Sequence, residues 1–332
     1  DTMICYTTSG NFNNNTIDGF IIERGNANES AYDTYEAHPI PRNEGGGVYI
    51  YSMSPTFKNC TFRENNASSA GGAIVIKNRA FPVFENCNFM LNESTGNGGA
   101  IKITDNSGAT FTNCSFNNNY SNTHGGAIAL DLNSQAVFTQ SFFNNNATQF
   151  GDGGAIHQQN GGFLTLEKSK FIGNQAKYGG AVRLLVGDID FNANANVFTN
   201  NTAHENGAGA LSIIPGNGKT VITNNIFTGN QTLAGVDNQV SGGASIVQEG
   251  GSTTYVINNT FYNEKSHAGT SSVHFKAGGT ERYLQNNIFY QNAANGGGNL
   301  PNWSTADGTT TTASNNLENT NPMFVNAANP IG

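Results

Sequence analysis

Four ionisable residues lie just after related Gly-Gly-Ala-Ile-type segments of this 332-residue chain: Lys102, Asp131, His157 and Arg183. Lysine or histidine can abstract a proton as a Brønsted base, and arginine can bind a carboxylate, so the group could act on an acidic substrate. The alternative is that they are ordinary solvated charges on an outer sheet face. In that case, replacing Lys102, His157 and Arg183 together by alanine should leave folding nearly unchanged.

A second candidate is the segment 29–44, which no later part of the chain repeats. Insertions into repeat proteins lie in loops on one flank, and that flank is often the binding face. The segment contains Tyr32, Tyr35 and His38, which are therefore predicted binding residues. We expect its deletion to spare stability while weakening binding.

Three cysteines, Cys60, Cys87 and Cys114, are spaced 27 residues apart. One interpretation is a stack of metal-binding or redox-active thiols. The other is that the cysteines are small residues that fill a tight corner. Disulfide geometry fits adjacent parallel rungs poorly. The sequence therefore predicts buried, unpaired thiols and no metal site. The same column continues as Ser141, Ser169, Asn196, Asn225, Asn259 and Asn287.

An internal repeat must position all these residues. Gly71, Gly98 and Gly125 each open a Gly-Gly-Ala-Ile segment, at steps of 27 residues. A fixed period of this size indicates a solenoid, in which each turn buries its apolar side against its neighbours. Three apolar columns per turn predict three short strands, stacked about 4.8 Å apart in parallel. One column is Phe62, Phe89, Phe116, Phe143, Phe171, Phe198, Phe227, Phe261 and Phe289.

An asparagine follows most of these phenylalanines by three residues, with Glu264 as the exception. Side-chain amides stacked on like amides can form a hydrogen-bonded ladder. The sequence therefore predicts a ladder at one corner of the solenoid. Its members are Asn65, Asn92, Asn119, Asn146, Asn174, Asn201, Asn230 and Asn292.

Composition narrows the function classes. Only 11% of residues are charged and the net charge is −8, which disfavours a phosphate-binding surface and hence a nucleic-acid partner. The 22 phenylalanines argue for a packed interior rather than disorder. No run of about 18 apolar residues is present, so no membrane span is expected in this segment.

The repeats resemble those of chlamydial polymorphic outer-membrane proteins, which are autotransported surface passengers. The wider context, including Ser54-Pro55-Thr56-Phe57 and Asn321-Pro322-Met323-Phe324, is similar to right-handed parallel β-helix proteins secreted by Bacteroidota-type bacteria. The resemblance implies an all-β, right-handed parallel β-helix of about 11 coils of about 27 residues. We expect a single domain over 1–332, with an irregular end over 299–332, and a fragment of a longer protein.

The resemblance also implies a secreted or cell-surface structural or adhesive module. Its partners would be a surface glycan, a protein receptor or parts of a secretion apparatus. The alternative is a glycan-binding β-helix or a polysaccharide lyase, in which Lys102, His157 and Arg183 would supply the base and bind the uronate. No cofactor is expected, and no aspartate cluster suited to calcium is found on neighbouring coils. A groove lined by those three residues would favour the lyase, and a featureless shaft the structural module.

Overall fold

The computed structural model describes residues 3–6, 15–30, 32–35, 38–205, 207–233, 243–250, 253–267, 270–276, 278, 281–294, 300–305 and 310–322. Within these residues the chain winds into a parallel β-solenoid of four sheets, with one antiparallel hairpin beside it. Successive coils pair in register, so equivalent residues lie directly above one another. In the same residues there is no helix of the length and hydropathy needed to cross a membrane.

Within the described residues, sheets S1 and S2 contain eleven strands each. The strands of S1 are Met3–Tyr6, Val48–Tyr51, Ile74–Lys77, Ile101–Ile103, Ile128–Leu130, Ile156–Gln159, Val182–Leu185, Leu211–Ile214, Ile246–Gln248, Val273–Phe275 and Trp303–Thr305. The strands of S2 are Thr16–Asp18, Thr56–Lys58, Val83–Glu85, Gly108–Thr112, Gln135–Thr139, Gly162–Glu167, Ile189–Asn194, Thr220–Thr223, Thr254–Ile257, Arg282–Gln285 and Thr311–Ser314.

Sheets S3 and S4 complete each coil, and they have eleven and ten strands in the part of the chain that the structure describes. The strands of S3 are Ile21–Glu23, Thr61–Arg63, Asn88–Met90, Ser115–Asn117, Phe142–Asn144, Lys170–Ile172, Val197–Thr199, Ile226–Thr228, Thr260–Tyr262, Ile288–Tyr290 and Leu317–Glu318. The strands of S4 are Asn26–Ala27, Asn66–Ala67, Glu93–Ser94, Tyr120–Ser121, Ala147–Thr148, Gln175–Ala176, Thr202–Ala203, Gln231–Thr232, Lys265–Ser266 and Ala293–Ala294. The three predicted strands correspond to S1, S2 and S3. The two-residue strands of S4 are too short to show an alternating pattern.

The corner between S2 and S3 depends on residues that adopt a positive φ. Asn59, Asn86 and Asn113 have φ values of 51°, 54° and 53°. Asparagine enters this left-handed region more readily than most residues, which accounts for part of the asparagine content. The corner lets Phe57 and Cys60, an odd number of positions apart, both face the interior, where both are buried.

The interior is built from files of identical side chains. The predicted phenylalanine column forms one file in S3, from Phe62 to Phe289, and its rings stack nearly parallel with centroids 4.6 to 5.0 Å apart. A second file, in S2, runs from Phe57 to Phe138. Every member of both files is fully buried. The prediction of one buried file at the strand spacing is confirmed.

The asparagine ladder is also confirmed. Asn65 donates its side-chain amide to Oδ1 of Asn92 at 3.0 Å and to the carbonyl oxygen of Ile22 at 3.0 Å. The backbone amide of Asn65 donates to the same Oδ1 at 3.1 Å. One buried amide therefore satisfies backbone groups at a corner where the sheet hydrogen bonds are interrupted.

The cysteine column lies at the corner between S2 and S3. Cys60, Cys87 and Cys114 are buried free thiols, and Sγ of Cys114 lies 3.4 Å from the carbonyl oxygen of Phe84. Asn196 donates to the equivalent carbonyl three coils further on, that of Leu166, at 2.9 Å. The column is therefore a row of small hydrogen-bonding side chains, and from Asn196 onwards it becomes a second amide ladder.

The insertion forms an antiparallel hairpin of strands Tyr32–Tyr35 and His38–Pro41. Ile40 is 5% exposed and packs with Tyr49 and Val75 on the outer face of S1. The expectation that this segment could be removed without loss of stability therefore conflicts with the structure. The hairpin covers apolar side chains that would otherwise face water.

The C-terminal part differs from the irregular end expected over 299–332. Trp303–Thr305, Thr311–Ser314 and Leu317–Glu318 extend S1, S2 and S3 by one more coil. Trp303 packs against the core and donates its indole N–H to Oε1 of Glu318 at 3.0 Å. Residues 306–309 and 323–332 lie outside the described part of the chain.

Candidate functional site

The outer face of S1 is covered by the turns that precede its strands. The residue before each glycine pair lies next to the corresponding residue of the neighbouring coil, and parallel bridges join several of them. The turn requires glycine: a Cβ on Gly71, where φ is 60°, would lie 2.2 Å from the carbonyl oxygen of Ile74. These turn residues are Glu44, Ala70, Asn97, His124, Asp152 and Tyr178.

The first pair on this face is Lys102 and Asp131. Lys102 is 7% exposed, and its Nζ lies 3.5 Å from Oδ2 of Asp131. Burial lowers the pKa of Lys102, although Asp131 opposes the shift. Burial disfavours the charged form of Asp131, but hydrogen bonds from Asn160 and Gln159 and the charge of Lys102 outweigh it, so the pKa of Asp131 is lowered. The contact with Asp131 therefore holds the Lys102 side chain in place.

His157 lies deeper, with 1% of its surface exposed. Burial lowers its pKa to about 3, so the imidazole is neutral at neutral pH. Its Nε2 lies 3.4 Å from Oε1 of Gln159, whose own amide donates to Oδ2 of Asp131 at 3.1 Å. A row of hydrogen bonds therefore joins Asp131 to His157.

Arg183 extends the cluster by one coil. Its Nε lies 3.8 Å from Oδ2 of Asp152, its guanidinium lies over the ring of Tyr178, and it donates to Oγ of Ser212. Burial lowers the pKa of Arg183 and raises that of Asp152, and each charge opposes the shift of the other. Arg183 is thus fixed by an ion pair, an aromatic face and a hydroxyl.

His124 and Asp152 also belong to the cluster, although neither was predicted from the sequence. The ring of His124 stacks on His157 with centroids 4.5 Å apart, above the small side chain of Ala129. The backbone amide of Asp152 donates to Nδ1 of His124 at 3.2 Å. Ligand-type atoms of His124, Asp152 and His157 lie within 4.8 Å of one another. The signal in the sequence is that His124 and Asp152 both stand directly before a glycine pair, at equivalent positions of neighbouring repeats.

The four sequence-predicted residues therefore do come together, but not on a solvated face. Lys102, His157 and Arg183 are largely enclosed, because the turns return over S1, so the expectation of outward solvent exposure was wrong. Tyr32 is exposed on the hairpin. The side chains of Tyr35 and His38 lie outside the described part of the structure.

An open feature lies on the outer face of S2. A groove of about 390 Å³, here called the S2 groove, crosses three coils. One column of the groove contains Phe163, Asp190 and Lys219. Oδ1 of Asp190 accepts a hydrogen bond from the backbone amide of Lys219 at 2.9 Å. The remaining residues that line it are Thr165, Phe191, Asn192 and Val221.

Aromatic side chains extend this surface in both directions along the solenoid axis. A smaller depression beside the S2 groove shares Phe163 with it and reaches Phe81. On the other side, Nζ of Lys219 lies 5.1 Å from the ring centre of Tyr255, and Tyr255 stacks on Tyr283 at 5.0 Å. The surface therefore combines partly exposed rings with amide, hydroxyl and charged groups.

Comparison with protein families decides the classification. The family model described as right handed beta helix region matches residues 3–184 and, in a second overlapping match, 97–261. The chain belongs to the right-handed β-helix family. A search of curated proteins and a search of solved structures found no match. The β-helix is consistent with a rigid solenoid module, because each coil repeats the hydrogen bonds and packing of the last.

Proposed function

We propose that this β-helix is a rigid adhesive module of a secreted or cell-surface protein, and that it binds an extended glycan chain along the S2 groove. The observation that supports the proposal is the S2 groove itself, where exposed Phe163 lies between hydrogen-bonding and charged side chains. Ligand sites commonly combine aromatic surface with a few polar groups that fix orientation.

The spacing of the groove suits a polymer better than a compact ligand. Thr165, Asn192 and Val221 of the groove pair in register on successive coils, so equivalent side chains recur at the strand spacing of about 4.8 Å. That interval is close to the advance per unit of an extended polysaccharide. Amide and carboxylate groups at this interval could hydrogen-bond to hydroxyls of consecutive sugars, with Phe163 packing against one sugar face.

The lyase alternative receives less support from the geometry. A general base must come within hydrogen-bonding distance of the proton that it removes. His157 is enclosed by neighbouring side chains, and Lys102 and Arg183 are held by Asp131 and Asp152. A polysaccharide could not reach these groups without opening the turns. We therefore assign them no catalytic step.

The experiment is a glycan array followed by calorimetry with the best ligand, using Phe163→Ala and Lys219→Ala. We expect each variant to lose at least tenfold in affinity, since truncating a central aromatic or a charged contact typically costs about 1 to 3 kcal/mol. The matched control is Phe150→Ala, because Phe150 is 69% exposed and does not line the S2 groove.

Unchanged binding by Phe163→Ala and Lys219→Ala would contradict the proposal. If Tyr32→Ala abolished binding instead, the hairpin would be the recognition surface, as the sequence analysis expected. Release of unsaturated products from an acidic polysaccharide, lost on replacement of His157, would establish the lyase in its place.

A further inference from the structure

The centre of the S1 outer face brings two imidazoles and a carboxylate to one point. We propose that His124, Asp152 and His157 form a binding site for a first-row divalent transition-metal ion such as Zn²⁺. Their ligand-type atoms lie within 4.8 Å of one another. This proposal rests on the S1 cluster alone and is independent of glycan binding in the S2 groove.

The hydrogen bonds around His157 select the tautomer that a metal needs. Asp131 only accepts hydrogen bonds, from the amides of Asn160 and Gln159 and the backbone amide of Leu132. Because the amide nitrogen of Gln159 points to Asp131, its Oε1 faces His157 and accepts from Nε2–H. The proton therefore lies on Nε2, and Nδ1 carries a lone pair.

That lone pair has no hydrogen-bond partner among the described residues, although Nδ1 of His157 is buried. An unpaired buried acceptor is costly, typically about 1 to 3 kcal/mol, and such atoms call for an explanation. A bound cation would satisfy it. The row from Asp131 through Gln159 resembles the hydrogen-bonded groups that fix the tautomer and orientation of histidine ligands in metal sites.

His124 and Asp152 can supply the other two ligands. Nδ1 of His124 accepts a hydrogen bond from the backbone amide of Asp152, so it is unprotonated too. A metal ion at this nitrogen would replace that hydrogen bond, whose 3.2 Å length is at the long end of the normal range. Asp152 is 3.8 Å from Nε of Arg183, longer than a typical charge-assisted hydrogen bond of about 2.7 to 2.9 Å. Its carboxylate therefore has lone pairs that could bind an ion.

The ligand types decide the class of metal. Two imidazole nitrogens with one carboxylate suit zinc and related transition metals, whereas calcium and magnesium prefer oxygen ligands. Bonds of about 2.0 to 2.2 Å require the three ligand atoms to move closer than 4.8 Å. His124 can provide this movement, because it lies on a turn and is only half-buried.

The charges around the site should lower its affinity for a divalent cation, but they do not prevent binding. Lys102 is paired with Asp131, and Arg183 with Asp152, so the cluster is close to neutral before metal binding. A divalent cation would still be repelled by both basic groups. We therefore expect weaker binding than at closed cysteine-rich zinc sites, with Arg183 retaining contact with the carboxylate.

The experiment titrates Zn²⁺ into chelator-treated protein that carries no histidine tag, with calorimetry and thermal unfolding as readouts. We expect one ion per chain and a rise in melting temperature, because an ion that binds only the folded state stabilises it. His124→Gln and Asp152→Asn should each weaken binding at least tenfold. Gln159→Leu, which removes only the orienting contact, should weaken it about 10- to 100-fold.

The matched controls are His204→Gln and His267→Gln, since both histidines are exposed and lie outside the cluster. His124 is half-buried, so His124→Gln should still fold even if a change at His157 does not. Co²⁺ absorption of the folded variants reports the ligands directly. The proposal fails if Zn²⁺ gives no saturable binding, if His124→Gln binds as the wild type does, or if Ca²⁺ binds equally well.

Discussion

Asn230 donates its side-chain amide to Oε1 of Glu264 at 3.2 Å, so a carboxyl group occupies one rung of the asparagine ladder. The other carboxyl oxygen of Glu264 accepts a hydrogen bond from Ser245, and the residue is fully buried. Burial raises the pKa of Glu264 to about 8, against an ordinary value of 4.5. The folded protein therefore keeps a proton that the unfolded chain releases.

The first prediction concerns the pH dependence that follows. Between pH 4.5 and about 8 the unfolded state has lost the proton and the folded state holds it, so stability should fall as pH rises, by about 1.4 kcal/mol per unit. Glu264→Gln should remove this slope. We expect the variant to resemble the wild type at pH 4.5 and to be the more stable at pH 8, as measured by urea unfolding. Exposed Glu93→Gln is the control, and a wild-type slope in Glu264→Gln would contradict the assignment.

The second prediction concerns the pair of Arg183 and Asp152. The sequence-based expectation was that alanine at Lys102, His157 and Arg183 would leave folding unchanged, but the side chain of Arg183 is only 12% exposed. Arg183→Ala leaves a buried carboxylate unpaired, a change that typically costs about 3 to 5 kcal/mol. The free energy of unfolding should fall by this order.

The control for that experiment is Lys177→Ala, which breaks the more exposed ion pair with Glu205. Such pairs contribute about 0 to 1 kcal/mol. If Arg183→Ala and Lys177→Ala had equal effects, the S1 face would behave as an ordinary solvated surface, and the original expectation would stand.

The third prediction concerns the hairpin. Ile40 packs on Tyr49 and Val75, so Ile40→Ala should lower stability by about 2 kcal/mol or more. Tyr32→Ala on the same hairpin should change it by less than about 0.5 kcal/mol, because Tyr32 is exposed. Thermal unfolding of the two variants distinguishes a hairpin that packs on the solenoid from a loop that does not. Equal stability of Ile40→Ala and the wild type would show that the hairpin contributes no packing.

The fourth prediction concerns the phenylalanine file. Phe116 stacks on Phe89 and Phe143 at 4.7 Å on both sides and meets two further rings edge-on, so Phe116→Ala removes four ring contacts and leaves a cavity. We expect a loss of about 3 to 5 kcal/mol, measured by urea unfolding. Exposed Phe150→Ala should have little effect. A loss below about 1 kcal/mol for Phe116→Ala would mean that neighbouring coils collapse to fill the space.

The fold could be predicted because its determinants repeat. Phe62 and Asn65 recur coil after coil, so their burial and stacking followed from spacing alone. The site could not be predicted to the same depth, because no repeat specifies which turn residue is polar. His157 was found as a member of an outer column, but its enclosure depends on His124, which differs from its counterparts Asn97 and Asp152. Contacts between unlike residues of neighbouring columns produce no repeating pattern in the sequence, so they cannot be predicted from its period.

The in-register stacking of the sheets also determines how the molecule should respond to tension. Hydrogen bonds between coils, such as those joining Ile74 to Ala100, run along the solenoid axis, so a pull between its two ends loads them lengthwise. The coils then bear the load in series, and the weakest junction between two neighbouring coils determines the force at which the solenoid unfolds. The rung of Asn230 and Glu264 is a chemically distinct junction, and deprotonation of Glu264 would destabilise it, because the carboxylate would then be a buried charge. A solenoid of this kind would give way under load at a defined point, at lower force in alkaline than in acidic surroundings.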